Sequence, residues 1–185
     1  MSLKEEKNSL LQLIKEKALF CQPVKLSSGK KSSYYVDGRQ ITLSAKGAYL
    51  VAKLIFPMIK DDNIQAIGGP TLGADPILGA VICWSHLENF PLQGFIVRKE
   101  PKKHGMQRYI EGPALKKGTR VAIIDDVVTT GESVLRSARA VEELGCRVVR
   151  IICLVDRLEG AGERLKKYGY KLTPLFTRND LELLE

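Results

Sequence analysis

Two adjacent carboxylates, Asp125 and Asp126, close the apolar run Val121-Ala-Ile-Ile, and the chain continues through Val127-Val128-Thr129-Thr130-Gly131-Glu132-Ser133. Thr129 to Ser133 offers backbone N–H groups, hydroxyls and the start of a helix converging on one point, which suits a phosphate. The two acids beside it suit ribose hydroxyls or a hydrated Mg²⁺ rather than a second phosphate. Together these residues describe a pocket for a sugar 5-phosphate, with the phosphate on the turn and the hydroxyls on the acids. Glu132 must point away from such a pocket, because its charge would repel the guest. Taken alone, Asp125-Asp126 reads equally as a solvated strand end or a Walker-B-like strand. No GxxxxGK[ST] occurs in the chain, so an ATPase would lack its phosphate loop. Gly160-Ala-Gly162 is no dinucleotide fingerprint either, since it follows a strand-end acid and lacks the third small residue.

The elements that must position this pocket alternate between helical and extended patterns. Leu10, Leu11, Ile14, Ala18 and Leu19 recur at helical spacing over Lys4 to Leu19. Val24 to Arg39, with a Ser/Gly/Lys centre, reads as a hairpin-like element. Ser44 caps an expected helix to Ile59, with Pro57 marking its fraying end. Ile64 to Ile67 is a short strand ending at Gly68-Gly69-Pro70, and a helix follows from Asp75 to His86. Phe95-Ile-Val, Arg120 to Ile124 and Val148 to Val155 are further strands, with a helix over Ser133 to Leu144 between the last two. A short helix near Glu163 to Tyr168, a strand near Leu172 to Phe176 and a capped turn at Asn179 to Leu184 end the chain. Continuous rather than alternating apolar strands imply a mostly parallel α/β sheet with helices on both faces. Acids at the end of such a strand then lie where open parallel sheets bind ligands. Residues 99–113 form the one long stretch without apolar periodicity, and a structureless loop of that length is more often functional than idle.

Composition narrows the partners. The chain has 185 residues, 44% hydrophobic and 27% charged, a globular mix that suits a single domain and excludes wholesale disorder and fibrous repeats. No apolar run approaches the roughly 18–20 residues that span a bilayer. The charged start Met1-Ser-Leu-Lys-Glu-Glu-Lys lacks the apolar core of a secretory signal. The expectation is a soluble cytoplasmic protein without membrane contact. Cys21, Cys83, Cys146 and Cys153 form no CxxC pair and read as buried spectator thiols. The net charge of +8, from 29 basic and 21 acidic residues, implies an anionic partner, either a substrate or a polymer.

The element Val121 to Ser133 resembles the phosphoribosyl-diphosphate signature of the type I phosphoribosyltransferases. Three further segments are similar to the orotate phosphoribosyltransferases among them. Leu26 to Arg39, with its Ser-Gly-x-x-Ser-x-Tyr core, looks like their hood segment. Arg98-Lys99-Glu-Pro-Lys102-Lys103-His104-Gly105 looks like their catalytic loop, and Leu154-Val-Asp156-Arg157 matches the strand end whose arginine meets the pyrimidine. The four motifs occur in the family's order over residues 26–157. The resemblance implies one phosphoribosyltransferase domain over 1–185. Its hood would comprise about 1–43 plus C-terminal elements, its core about 44–160 and its mobile basic loop about 99–113. It implies transfer of ribose 5-phosphate from phosphoribosyl diphosphate to orotate, with Mg²⁺ held mainly by substrate and water, in a two-fold homodimer whose loop acts in trans.

Carried over by position, the donor would meet Arg98, Lys99, Lys102 and His104 from the loop, and Asp125, Asp126, Val127, Val128, Thr129, Thr130, Gly131, Glu132 and Ser133 from the signature. Lys102, His104, Asp125 and Asp126 would carry catalysis. Orotate would meet Ser27, Ser28, Gly29, Tyr35, Thr129 and Arg157. Orotate bears a carboxylate and ring carbonyls, so a planar guanidinium and close backbone donors at Ser27 to Gly29 suit it. Arg157 also reads as a salt bridge with Asp156 or Glu159, and Tyr34 and Tyr35 either flank the ring or fill the hood. Glycosyl transfer from a diphosphate passes through a cation-like ribosyl centre. Arg98, Lys99, Lys102, Lys103, His104 and Arg108 gather positive charge for the leaving group.

The match departs from some members in two places. Ser27 stands where they carry a lysine, and Thr71-Leu72-Gly73-Ala74-Asp75 has none, leaving Lys30 or Lys31 as substitutes and Asp75 as a group that could orient metal-bound water. Two rival readings remain: a phosphoribosyltransferase for another base, and a donor-sensing regulator that binds nucleic acid. The regulator would need a helix-turn-helix, and the residues before the core read instead as one helix plus a hairpin. No nucleic-acid partner is therefore expected.

Overall fold

The computed structural model describes residues 2–21, 24–25, 31–100 and 109–182. The chain opens with α1 (Leu3–Lys17), whose N-cap Ser2 and Glu5 form a reciprocal capping box. Four short strands follow: β1 (Leu19–Phe20), β2 (Val24–Lys25), β3 (Lys31–Ser32) and β4 (Tyr35–Val36). β1 pairs antiparallel with β4 and β2 with β3, so the hairpin-like reading of 24–39 holds and a second small sheet ties it back to α1. A one-turn helix α2 (Arg39–Thr42) leads to α3 (Ala45–Asp61). Ser44 caps α3 by accepting from the Gly47 N–H at 3.2 Å.

Helix α3 runs through Pro57 rather than fraying there. Proline removes one backbone donor, but Phe56 and Ile59 on either side are buried, and Asp62 N–H bonds to the Met58 carbonyl beyond it. Burial of that last turn outweighs the single missing bond.

The core alternates as β5 (Ala66–Pro70), α4 (Asp75–Leu87), β6 (Gln93–Val97), β7 (Ile110–Glu111), β8 (Arg120–Val128), α5 (Glu132–Glu143), β9 (Arg147–Asp156), α6 (Ala161–Lys167) and β10 (Leu172–Thr177). A 3-10 turn at Arg178–Leu181, capped by Thr177, follows. These strands make one six-stranded sheet in the order β10-β9-β8-β5-β6-β7. Every neighbour pair is parallel except β6 with β7. One apolar cluster joins α1, α3 and α4 to one face of the sheet, and a second packs α5 and α6 on the other. The expected α/β class, with helices on both faces of a mostly parallel sheet, is what the chain adopts.

Three expectations need correction. The strand after Ile64 does not end at Gly68-Gly69-Pro70 but includes it. A Cβ on Gly68 would run into the Phe95 ring, and one on Gly69 into the Ile124 carbonyl, so only glycine lets these backbones approach. The stretch 99–113 is not wholly loop, since Ile110–Glu111 adds an antiparallel edge strand to β6. Two residues carry too little periodicity to be read as a strand. Finally, only Cys146 and Cys153 are buried, while Cys21 and Cys83 are exposed. Among the described residues, no helix is long and apolar enough to cross a membrane.

Candidate active site

Strand β8 continues past Ile124, carrying both acids within the sheet: Asp125 lies opposite Cys153, and Val128 opposite Asp156. Asp125 is buried, and Asp126 is partly so. The acids are tied to one another through the backbone, Asp126 N–H donating to Asp125 Oδ1 at 3.0 Å and Val127 N–H to Asp126 Oδ1 at 2.7 Å. Ser133 Oγ, from the first turn of α5, donates to Asp125 Oδ2 at 3.3 Å. Burial raises the Asp125 carboxyl well above its usual range, and the neighbouring Asp126 charge raises it further. Burial also raises Asp126, against the pull of its Val127 hydrogen bond and of Arg39 nearby. Side by side in a desolvated site, the two groups resist being ionised together.

Two glycines press on this pair, and the sequence reading missed both. A Cβ on Gly73 would overlap Asp125 Oδ1 and Asp126 Oδ1, and one on Gly38 would stand 2.8 Å from Asp126 Oδ2. The loop after β5 and the turn before α2 thus form the walls of a cradle around the acids. The signal lay in Gly73 following Gly68-Gly69-Pro70 and in Asp37-Gly38-Arg39 closing the hood motif, but sequence spacing does not say which glycine touches which acid. Across the first of these loops, Thr71 Oγ1 donates to Asp75 Oδ2 at 2.9 Å, while Asp75 Oδ1 is buried with no hydrogen-bond partner among the described residues. The Thr71–Leu72 peptide is cis.

The turn from Thr129 to Ser133 reverses the chain at Gly131, whose φ of +76° belongs to the left-handed region that favours glycine. Thr129 and Thr130 are half-buried, and α5 begins immediately beyond. Glu132 points out to solvent, its carboxylate 4.0 Å from Arg164 Nη1. The Ser133 hydroxyl and the start of α5 therefore lie beside the acids without an intruding negative charge from Glu132.

Arg157 sits just beyond β9, its N–H donating to the Val128 carbonyl at 2.9 Å, which fastens it to the end of the acid-bearing strand. It is only 3% exposed. Its guanidinium carbon lies 4.4 Å from the Tyr34 ring centroid, and Nε donates to Tyr34 Oη at 3.3 Å. Nη2 meets Glu159 Oε1 at 3.0 Å. The salt bridge with Glu159 is thus present, joining a buried arginine to a carboxylate that is 28% exposed. Tyr34, rather than the Tyr35 of the expected orotate set, stacks on Arg157; Tyr35 is half-buried on β4. Tyr34 immediately precedes β4 and Tyr35 opens it, and sequence could not tell which of the two adjacent rings faces in.

Arg98 and Lys99 are exposed where the chain leaves β6. Arg98 N–H donates to the Tyr109 carbonyl at 2.8 Å, so the two ends of the basic segment are pinned together above the β6–β7 edge. Arg98 Nη1 is 3.7 Å from Glu111. Ser27, Ser28, Gly29 and Lys30, together with Lys102, Lys103, His104 and Arg108, lie outside the described residues; of Lys31, only the backbone is described.

Residues 41–176 match the phosphoribosyl transferase domain family. An orotate phosphoribosyltransferase of Aquifex aeolicus is 47% identical over 179 residues, covering 95% of this chain and 97% of the relative. The orotate phosphoribosyltransferase of Mycobacterium tuberculosis H37Rv, solved with Fe(III) dicitrate, superposes with a TM-score of 0.83 at 36% identity, covering 96% of this chain and 99% of that one. The same enzyme solved with 5-phospho-alpha-D-ribosyl 1-diphosphate gives a TM-score of 0.79 at 33% identity, over 96% and 99% of the two chains. Sequence, fold and motif order agree, and this chain belongs to the orotate phosphoribosyltransferase family.

Proposed function

We propose that this protein transfers ribose 5-phosphate from 5-phospho-alpha-D-ribosyl 1-diphosphate to N1 of orotate, giving orotidine 5′-phosphate and diphosphate in pyrimidine nucleotide synthesis. One observation carries the reading. The acid pair on β8 and the buried, ring-stacked Arg157 after β9 share the carboxyl end of a parallel sheet, where the Arg157 N–H bonds to the carbonyl of Val128, two residues beyond Asp126. A sugar donor on the acids then lies next to a planar, anionic acceptor on the guanidinium. The relatives described above, orotate phosphoribosyltransferases of which one was solved with this donor, support the same reaction.

In this mechanism the 5-phosphate rests on the N–H groups and hydroxyls of Thr129 to Ser133, and Asp125 and Asp126 accept the ribose hydroxyls. Arg157 turns the acceptor so that its ring nitrogen faces the anomeric carbon. As the bond to diphosphate lengthens, Arg98 and Lys99, with Lys102 and His104 from the basic loop, balance the negative charge leaving the sugar. The loop closes over the site and keeps water from intercepting the ribosyl cation. Ser27 to Gly29 and Tyr35 line the acceptor side.

The site also suits Mg²⁺. Two carboxylates approach Gly73 from one side and present hard oxygen donors, and Mg²⁺ commonly takes one or two such groups plus substrate phosphates and water. Asp125 and Asp126 would hold it through substrate and water, where it would draw charge off the diphosphate. The raised pKa of the pair then has a use, because one bound cation favours ionising both acids.

The reaction takes place in the cytoplasm, since its phosphorylated donor does not cross membranes unaided. The active unit is a two-fold dimer whose basic loop reaches the partner's site. Mixing Asp125→Asn with Lys102→Ala subunits tests this. A loop acting in trans restores one intact site in each heterodimer, about a quarter of normal total activity after random exchange, whereas no regain places the loop in its own subunit. The substrate is tested by diphosphate release with phosphoribosyl diphosphate and Mg²⁺ over a panel of orotate, uracil and adenine. Turnover with orotate alone is expected; turnover with uracil or adenine but not orotate overturns the substrate while leaving the family intact.

A further inference from the structure

We propose that Glu159 and Tyr34 are positioning residues that hold the Arg157 guanidinium flat and pre-aimed at the acceptor. This rests on the proposed seat of orotate at Arg157. The puzzle behind it is the sign of Glu159: a carboxylate 3.0 Å from the cation that should attract an anionic substrate weakens that attraction. A role in steering the substrate is therefore ruled out by its charge. A role in stability alone is limited, because Glu159 is 28% exposed and Arg157 keeps its hydrogen bond and ring contact with Tyr34 when the carboxylate is removed. What remains is orientation.

The geometry suits that role. The Tyr34 ring lies under the guanidinium at 4.4 Å, and its hydroxyl takes the Nε proton at 3.3 Å. Glu159 takes Nη2 from another direction. Two partners on two different nitrogens, plus a ring face, fix both the plane of the fork and its rotation within that plane. A planar acceptor recognised through its carbonyl or carboxylate oxygens needs that plane set in advance, or it must spend binding energy ordering the side chain. The backbone is shaped to deliver Glu159. Leu158 adopts φ +56° and its N–H bonds to Asp156 Oδ1 at 2.9 Å, after which Gly160 at φ +94° lets the chain leave. Without that left-handed step, Glu159 would continue away from Arg157 along the strand direction. Tyr34 comes from the hood and Glu159 from the core, so the clamp also forms only when the hood is docked.

The test separates the acceptor from the donor. Glu159→Ala should raise the KM for orotate about three- to tenfold, the cost of ordering one long side chain on binding, while the KM for phosphoribosyl diphosphate and the melting temperature stay near wild type. Glu159→Gln, which keeps an acceptor at the same reach, should recover most of that loss. Tyr34→Phe should raise the orotate KM less than Tyr34→Leu, which removes the ring platform as well. Equal movement of both KM values, movement of neither, or no recovery with glutamine overturns the positioning role. Should the alanine variant fail to fold, Glu159→Asp carries the same test, its shorter reach giving the same one-sided rise. Arg157→Ala tells the two levels apart. If it leaves the orotate KM unchanged, the acceptor does not sit at Arg157 and the reading of the site fails. If it raises that KM while Glu159→Ala does not, only the clamp falls.

Discussion

The two ends of the same sheet treat aspartate in opposite ways. At the amino-terminal edge, Asp62 follows α3 and accepts from Arg150 through both carboxylate oxygens, Nη2 to Oδ1 measuring 3.0 Å. Arg120, the first residue of β8, donates to the Asp62 carbonyl at 2.7 Å, and Arg150 also reaches Thr173 on β10. The Arg150 hydrogen bonds hold the Asp62 carboxyl below its usual range. At the carboxyl-terminal edge of β8, Asp125 and Asp126 sit side by side with a serine hydroxyl and backbone N–H groups for support, and burial pushes both upward, with the Asp126 charge adding to the rise at Asp125. One edge is electrostatically satisfied and contributes to stability. The other is left unfavourable until a ligand brings positive charge, which is where a binding site can be expected to cost the fold.

The sharpest way to break this contrast is Asp125→Asn. Activity should fall by at least about 10²–10³, as for loss of one preorganised transition-state contact, yet the unliganded protein should melt higher than wild type. The sign follows from the raised carboxyl. A group that ionises more readily in the unfolded chain costs stability once the pH exceeds its unfolded value, and the cost grows until the folded value is passed. Asparagine removes that cost, so its advantage should be largest above neutral pH and shrink toward pH 4. A gain of about 1 kcal/mol would appear as roughly 2–4 °C in a chain of this size. Added phosphoribosyl diphosphate with Mg²⁺ should then protect wild type more than the variant. A lower melting temperature for Asp125→Asn at pH 8 would mean that the pair stabilises the fold after all.

Arg150→Ala should do the reverse, lowering stability by about 1–2 kcal/mol through loss of its hydrogen bonds to the Asp62 carboxylate, while kcat and both KM values stay unchanged. The Asp62 contribution is present above its unfolded pKa and disappears as pH falls through its depressed folded value. Urea unfolding of wild type and variant should therefore converge as the pH drops from 7 to 3. A gap that persists at pH 3 would assign the effect to packing of the arginine stem rather than to the ion pair.

The contrast also marks what could be read from the sequence. The parallel sheet, the acids at a strand end and the hydroxyl-rich turn were legible because each is a local pattern: a continuous apolar run, two adjacent charges, a small-residue stretch before a helix. The satisfied edge was not. Asp62, Arg120, Arg150 and Thr173 stand 88 residues apart at their widest bonded pair, Asp62 with Arg150, and nothing local joins them. The same holds inside the site. Arg157 was legible from its strand end, but Tyr34 lies 123 residues away, and the choice between Tyr34 and Tyr35 rests on which of two adjacent rings faces in. Gly38 was read only as part of the hairpin-like element and Gly73 only as part of a segment without a lysine, because their role is to leave room for Asp125 and Asp126, and an absent side chain leaves no pattern. Pro57 and the Gly68-Gly69-Pro70 segment misled for a related reason: local breaker signals gave way to burial contributed by residues far along the chain.

Leu158 tests the comparison at its finest scale, because it is the one non-glycine residue next to Arg157 held at positive φ, +56°. A leucine there carries a strain of about 1 kcal/mol that glycine would not. Leu158→Gly should relieve it, partly offset by the greater freedom of glycine in the unfolded chain, for a net gain below about 1 kcal/mol. If the strained step exists to bring Glu159 back onto Arg157, glycine should also loosen that delivery. The orotate KM should then rise a few-fold while the KM for the donor is unchanged. A gain in stability with no change in orotate KM would make the left-handed step a tolerated irregularity of the turn. Both effects together would mean that strain at the carboxyl edge serves the acceptor pocket, as like charge there serves the donor, with the opposite edge left free to carry the stability.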